Sequence, residues 1–158
     1  MKTKHQAGFS LIELLIVVAV IGIIASIAIP NLLASRRAAN EGSAQSSIRT
    51  ISSCEIAYKT TYGNGNFADL ATLGARVMTD AVLTTGTKSG YLFVTNPEAG
   101  APDQFYATAY PVTTSGVGQT GTRRFGNTDD GVMRGDTDLS SGAPGDRATV
   151  LAMPALAN

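Results

Sequence analysis

Gly8-Phe9-Ser10-Leu11-Ile12-Glu13-Leu14-Leu15-Ile16-Val17-Val18-Ala19-Val20-Ile21-Gly22-Ile23-Ile24-Ala25-Ser26-Ile27-Ala28-Ile29-Pro30 is the stretch on which the fold turns. From Phe9 to Ile29 it holds 21 residues and a single charge, Glu13. At about 1.5 Å per residue, a helix of that length spans the roughly 30 Å hydrocarbon core of a bilayer. Lys2 and Lys4 precede it, and basic residues ahead of a first span favour keeping that end in the cytoplasm. A cleaved secretory signal has an apolar core of about 7–15 residues and a small-residue cleavage site after it. This run is longer, and Pro30-Asn31-Leu32-Leu33 follows it. A plain membrane anchor would avoid a carboxylate, which costs about 2.5–3.5 kcal/mol at mid-span. Glu13 lies one turn into the span, where snorkelling lowers that cost. It is therefore either a tolerated oddity or a residue waiting for a partner.

Outward from this run, the composition excludes several chemistries. The chain has 158 residues, with 12 Lys and Arg against 12 Asp and Glu. A neutral balance indicates no nucleic-acid surface. One cysteine, Cys54, permits neither an intramolecular disulfide nor a Cys-based zinc site. The one histidine, His5, lies ahead of the apolar run. No P-loop, Gly-x-Ser-x-Gly or metal-binding histidine pair occurs. Cys54 reads as a small buried residue, and Arg123-Arg124 as a solvated strand end.

Past Pro30 the chain reads as more helix. Residues 31–62 contain no Pro and one Gly, Gly42, and end at Gly63-Asn64-Gly65-Asn66, a stop signal. Ala44, Ile48, Ile51, Tyr58 and Tyr62 share one helix face, with Glu55 in its gap. Residues 9–62 would form a helix of roughly 80 Å, so its first half is expected to project into a membrane or a bundle of sister helices. Gly22 and Pro30 are its weak points. Pro30 lacks an N–H and clashes with the carbonyl four residues back, which predicts a kink or local melting near Ser26. That kink is either passive or an adjustment made on packing.

Residues 63–158 hold 14 of the 17 glycines. Four strands are expected: residues 90–95, ending at Asn96-Pro97; residues 104–112, alternating Phe105, Ala107 and Ala109 against Tyr106, Thr108 and Tyr110; and residues 122–125 and 132–134 around a Gly126–Gly131 loop. An antiparallel meander follows, and the face of the second half-helix is its available cover. Residues 67–83 read as the connection, and the tail 149–158 is left open.

The junction Gly8-Phe9-Ser10-Leu11-Ile12-Glu13, the apolar run and Pro30 resemble the type IV prepilin segment shared with the pseudopilins of type II secretion. The likeness is close over Lys4 to Arg37. It implies an α+β pilin-like fold, a long N-terminal helix whose C-terminal half packs on a small antiparallel sheet. The expected divisions are a leader (1–8), a membrane or filament-core helix (9–30), its amphipathic continuation (31–62) and a globular head (63–158).

The resemblance also implies that a prepilin peptidase cuts between Gly8 and Phe9 and that the Phe9 amine is methylated. Glu13 would then pair with the Phe9 amine of a neighbouring subunit and set its register, or with its own Phe9, four residues away. Lipid, an inner-membrane assembly platform, related minor pilins and further copies of the chain are the implied partners. The implied location is the bacterial inner membrane, single-pass with the N-terminus cytoplasmic, and then a surface pilus or periplasmic filament. Some major pseudopilins hold calcium in a C-terminal loop. Asp129, Asp130, Asp136 and Asp138 are the candidate oxygen ligands here, against the alternative that they are plain turn residues; no other cofactor is implied. A pilus subunit, a major pseudopilin and an unrelated membrane-anchored enzyme or binding domain are the competing functions. The last lacks any catalytic constellation.

Overall fold

The computed structural model describes residues 9–156. The leader, Gly8 included, lies outside the described residues. The element order is α1 (Leu11–Thr61), α2 (Leu70–Arg76), α3 (Ala81–Thr84), β1 (Thr87–Lys88), β2 (Tyr91–Glu98), β3 (Ala101–Pro111), β4 (Arg124–Thr128), β5 (Arg134–Asp136) and α4 (Arg147–Ala152). The boundary between two compact units falls between Ser35 and Arg36.

The first unit consists of the apolar part of α1. Its side chains are exposed along its length, Leu11 at 81% and Ile27 at 64%. Among the described residues, α1 is the one helix long and apolar enough to cross a membrane. The helix runs unbroken through Pro30. Proline removes the hydrogen bond to the Ser26 carbonyl, and the flanking polar side chains engage the carbonyls nearby: Ser26 Oγ donates to Ile23 O at 2.7 Å, and Asn31 Nδ2 to Ile27 O at 3.1 Å. Local melting at Ser26 is absent.

In the second unit the five strands form one antiparallel sheet in the order β1-β2-β3-β4-β5, so the pilin-like α+β architecture is what the chain adopts. Ala44, Ile48 and Ile51 of α1 form one core with Tyr91, Phe93, Phe105, Ala107, Ala109 and Phe125. Leu73 of α2 and Leu83 of α3 join it. The connection is thus partly helical, and each short helix starts on an aspartate. Asp69 accepts from Thr72 N, and Asp80 from Val82 and Leu83 N, which satisfies otherwise orphaned amides.

Two strand expectations need correction. Asn96-Pro97 does not end β2; Pro97 pairs with Phe105 inside it. Proline is tolerated there because β1 pairs only with Tyr91 and Leu92, leaving the other edge of β2 open at Pro97. Second, Gly126, Asn127 and Thr128 belong to β4 and pair with Thr108, Ala107 and Tyr106. The turn is confined to Thr128–Gly131, where Gly131 N bonds Thr128 O at 3.0 Å. Gly126 is a glycine for packing: a Cβ there would lie 2.7 Å from Val150 Cγ1. The outer face of β3 is covered as well. Thr108 is buried, as is Val150 of α4, so the tail packs. Asp146 caps α4 by accepting from Thr149 N at 2.7 Å.

Candidate functional site

The start of α1 is built by Ser10 and Glu13. The spacing Ser-x-x-Glu is a capping pattern. The Ser10 amide donates to Glu13 Oε2 at 2.9 Å, and Leu14 N bonds Ser10 O at 3.3 Å. In the single chain, Glu13 thus closes its own helix terminus, where a carboxylate also complements the helix dipole. This contact was missed in the sequence although the spacing announces it. Phe9 is 85% exposed. Gly22 has open space around it: a Cβ there would meet nothing within 4 Å. The start of the helix therefore presents an exposed aromatic, a carboxylate held only locally and an uninterrupted apolar surface.

The candidate calcium set does not assemble. Asp129 pairs with Arg147 at 2.5 Å and Asp130 with Arg134 at 2.6 Å. Asp136 grips Arg124 through two contacts of 2.7 and 3.0 Å, and Asp138 lies 3.7 Å from the same guanidinium. Asp138 also receives the Ser140 and Ser141 hydroxyls. Three arginines thus meet the four carboxylates, with Asp136 and Asp138 sharing Arg124. Among the described residues no group of three or more potential ligands is placed to hold a metal. Arg134 and its neighbours hold the Asp130 carboxyl down at about 2. Asp138 is lowered as well, first by Ser140 and Ser141.

Arg124 also departs from its reading as a solvated strand end. It is buried, and it donates to Gly142 O at 2.9 Å as well as to Asp136. The residues 136–142 are thereby fastened to β4. Arg123 turns the other way, to Glu41 of α1 at 3.2 Å; Glu41 also accepts from the Thr122 amide and hydroxyl at 2.7 Å. Arg37 to Gln119 and Asn40 to Thr120 O, each 2.9 Å, add two more ties between α1 and the segment before β4. Cys54 is a partly buried thiol against the core, pushed up by burial and then by Glu55.

Glu55 is the residue the sequence placed least well. It sits on the buried face of α1, fully enclosed. Its carboxylate accepts from Ala68 N at 3.0 Å and is 2.7 Å from Thr95 Oγ1. Burial pushes it up to about 7 despite those two hydrogen bonds, and Asp69 adds a like charge.

A cleft of about 250 Å³ is lined by Arg49, Asn127, Gly131, Val132, Met133 and Leu156. It presents no nucleophile and no acid–base pair.

Comparison with known proteins returns matches concentrated at the N-terminus. Residues 3–29 match the prokaryotic N-terminal methylation motif. The type IV wide pilus major component PilA4 of Thermus thermophilus is 58% identical over 38 residues, 24% of this chain and 29% of that protein. The type II secretion system core protein G of Aeromonas hydrophila is 34% identical over 59 residues, 37% of this chain and 41% of that protein. The Escherichia coli core protein G is 35% identical over 57 residues, 36% of this chain and 39% of that protein. The chain thus spans well under half the length of these relatives. No solved structure matches. None of these relatives is described as an enzyme. A methylation motif that runs straight into an exposed apolar helix is thus what this chain shares, over its N-terminal region, with type IV pilus and type II secretion system components.

Proposed function

We propose that this chain is a structural subunit of a type IV pilus. In this reading it is inserted in the inner membrane with its N-terminus cytoplasmic. A prepilin peptidase cuts it between Gly8 and Phe9, and Phe9 is methylated. The span of residues 9–30 stays with the mature chain and passes, through an assembly platform, from lipid to a helical filament of sister copies and related minor pilins. The observation carrying this reading is the 58% identity with a pilus major component across the N-terminal region.

Glu13 acts in this scheme by exchange of partners. Its bond to the Ser10 amide serves the lone chain. In a packed bundle, the Phe9 ammonium of a neighbour offers full opposite charge, which offsets much of the cost of holding a carboxylate in an apolar setting. Assembly then depends on axial register. The helix tolerates Pro30 without breaking, and bending at Gly22 and Pro30 is the adjustment assigned to the packed state.

A second reading, the major pseudopilin of a type II secretion machine, is favoured by the longer alignments with core protein G, 57 and 59 residues. Deleting the gene separates the two. Loss of surface fibres with secretion intact supports the pilus subunit; retained fibres with secreted enzymes trapped in the periplasm support the pseudopilin. Mass spectrometry of purified filaments should give a chain starting at methylated Phe9. A chain still bearing Met1 or Lys2 would sink the processing step.

A further inference from the structure

We infer that Glu55 is a proton-operated latch between α1 and the rest of the head, closed when the carboxyl is neutral and strained when it is ionised. This goes beyond filament assembly and does not depend on which filament the chain builds. The argument starts from position. Glu55 is fully enclosed, on the helix face that carries Ile48 and Ile51. Its two oxygens reach two different elements. Oε2 accepts from the Ala68 amide in the segment leading to α2, and Oε1 is 2.7 Å from the Thr95 hydroxyl of β2. One carboxyl thus joins the helix to both parts that pack on it.

The hydrogen-bond count decides which protonation state fits. Thr95 Oγ1 also lies 3.1 Å from Tyr106 O of β3. A hydroxyl has one proton to donate. If Glu55 is ionised, the single Thr95 proton serves either the carboxylate or the Tyr106 carbonyl, and one of the two contacts is lost. If Glu55 is neutral, its O–H donates to Thr95 Oγ1, Thr95 donates to Tyr106 O, and the chain of bonds is complete. The 2.7 Å separation suits an O–H···O bond.

The surrounding charges agree. Among the described residues no cation forms an ion pair with Glu55. Lys59, one turn along α1, is committed to Asp103 O at 2.9 Å and to the Phe67 ring. Cys54, the neighbouring thiol, is itself held neutral. Asp69, from the segment before α2, brings a charge of the same sign. β2 meets the carboxyl with the Thr95 hydroxyl, and β3 meets that hydroxyl with the Tyr106 carbonyl. A buried carboxylate with no cation is costly, so the proton has somewhere to go.

The direction of the pH effect follows from linkage. A folded-state value of about 7 lies above the ordinary 4.5, so the folded chain holds a proton that the unfolded chain has released. The stabilisation is fully present below pH 4.5 and is lost as pH rises from there through about 7. The test uses the full-length chain in detergent micelles, with Glu13→Gln in every sample so that one enclosed carboxyl is followed. Urea unfolding is measured from pH 4.5 to 8 for this chain and for the chain also carrying Glu55→Gln, which keeps the shape and fixes the neutral form. The folding constant of the Glu55 chain should fall roughly a hundredfold relative to the glutamine chain across that window. Parallel pH curves would overturn the proposal. Infrared spectroscopy of the Glu-labelled chain carrying Glu13→Gln reads the Glu55 carboxyl directly. A protonated carboxyl band should persist at pH 6 and vanish by pH 8, and its absence at pH 6 would equally overturn the latch.

Discussion

Two stretches of a single helix live by opposite rules. Residues 11–35 of α1 expose nearly every side chain, with Leu11, Ile27 and Leu32 all open. Residues 36–61 bury Ala44, Ser47, Ile48, Ile51 and Glu55 on one face and leave the opposite face polar. The first is apolar all round, the pattern of a span or a packed bundle, and the second is amphipathic, the pattern of a helix lying on a sheet. The backbone geometry is the same in both, so the difference lies entirely in what each set of side chains needs as a solvent. In the second stretch the chain supplies its own cover, the core around Phe93, Phe105 and Phe125. In the first the chain supplies no cover of its own.

The strongest way to break this comparison is to cut it. A fragment beginning at Arg36 should be soluble, monomeric and folded, because Ile48, Ile51 and the sheet keep each other. It should lose all capacity to polymerise, since the continuous apolar area is gone. Circular dichroism showing mixed helix and strand, with a monomer in sedimentation, is the expected result. An aggregated or unfolded fragment would mean that the two stretches are not separable.

Glu13→Ala tests the first stretch alone. Membrane insertion should be at least as good as in the parent, since a carboxylate costing about 2.5–3.5 kcal/mol at mid-span is removed. Fibre yield should collapse, because the Phe9 ammonium loses its partner. A strain that makes fibres normally with this change would show that Glu13 serves only the Ser10 cap.

Arg124→Ala tests the second stretch alone. It leaves Asp136 and the Gly142 carbonyl without their shared donor, and a cost of about 2–4 kcal/mol is expected in urea unfolding. Arg123→Ala removes a more exposed pair, Arg123 with Glu41, and should cost less than about 1 kcal/mol. Equal effects would mean that burial does not govern these ties. In acid the same region should weaken. Asp130 is held below its ordinary value, so its contribution is present above 3.8 and fades as pH falls toward 2. Glu55 runs in the reverse sense.

Much of this division was legible before any coordinates. The span from Phe9, the helix through Tyr62 and the antiparallel meander all follow from periodicity and stop signals, and the helix ends at Thr61. What escaped was residue type overridden by position. Glu55 broke an apolar stripe on paper, yet it occupies that stripe because Ala68 N and Thr95 receive it. Asn96-Pro97 and Gly126-Asn127 carry turn chemistry, but an open edge and the close approach of Val150 make strand positions of them. The four aspartates suggested a cation because sequence spacing does not reveal that Arg124, Arg134 and Arg147 return to meet them. The Glu55–Thr95 and Asp129–Arg147 contacts join residues far apart in sequence, which local pattern cannot carry.

The finest test compares two glycines on the same helix. Gly22 and Gly42 both lie inside α1, and a Cβ at either would meet nothing within 4 Å. In an isolated chain, alanine at either position should help by roughly 0.5–1 kcal/mol, because glycine gives up more backbone freedom on entering a helix. The consequences should then part. Gly42→Ala belongs to the self-covered stretch, so it should raise the urea midpoint of the head and leave fibre yield unchanged. Gly22→Ala belongs to the stretch that awaits sister helices. If those helices approach closely at Gly22, or if the helix must bend there, an added methyl obstructs them, and fibre yield should fall while the head's urea midpoint stays fixed. Equal fibre yields from the two strains would mean that Gly22 is a passive member of an apolar surface, and the adjustment on packing would rest with Pro30 alone.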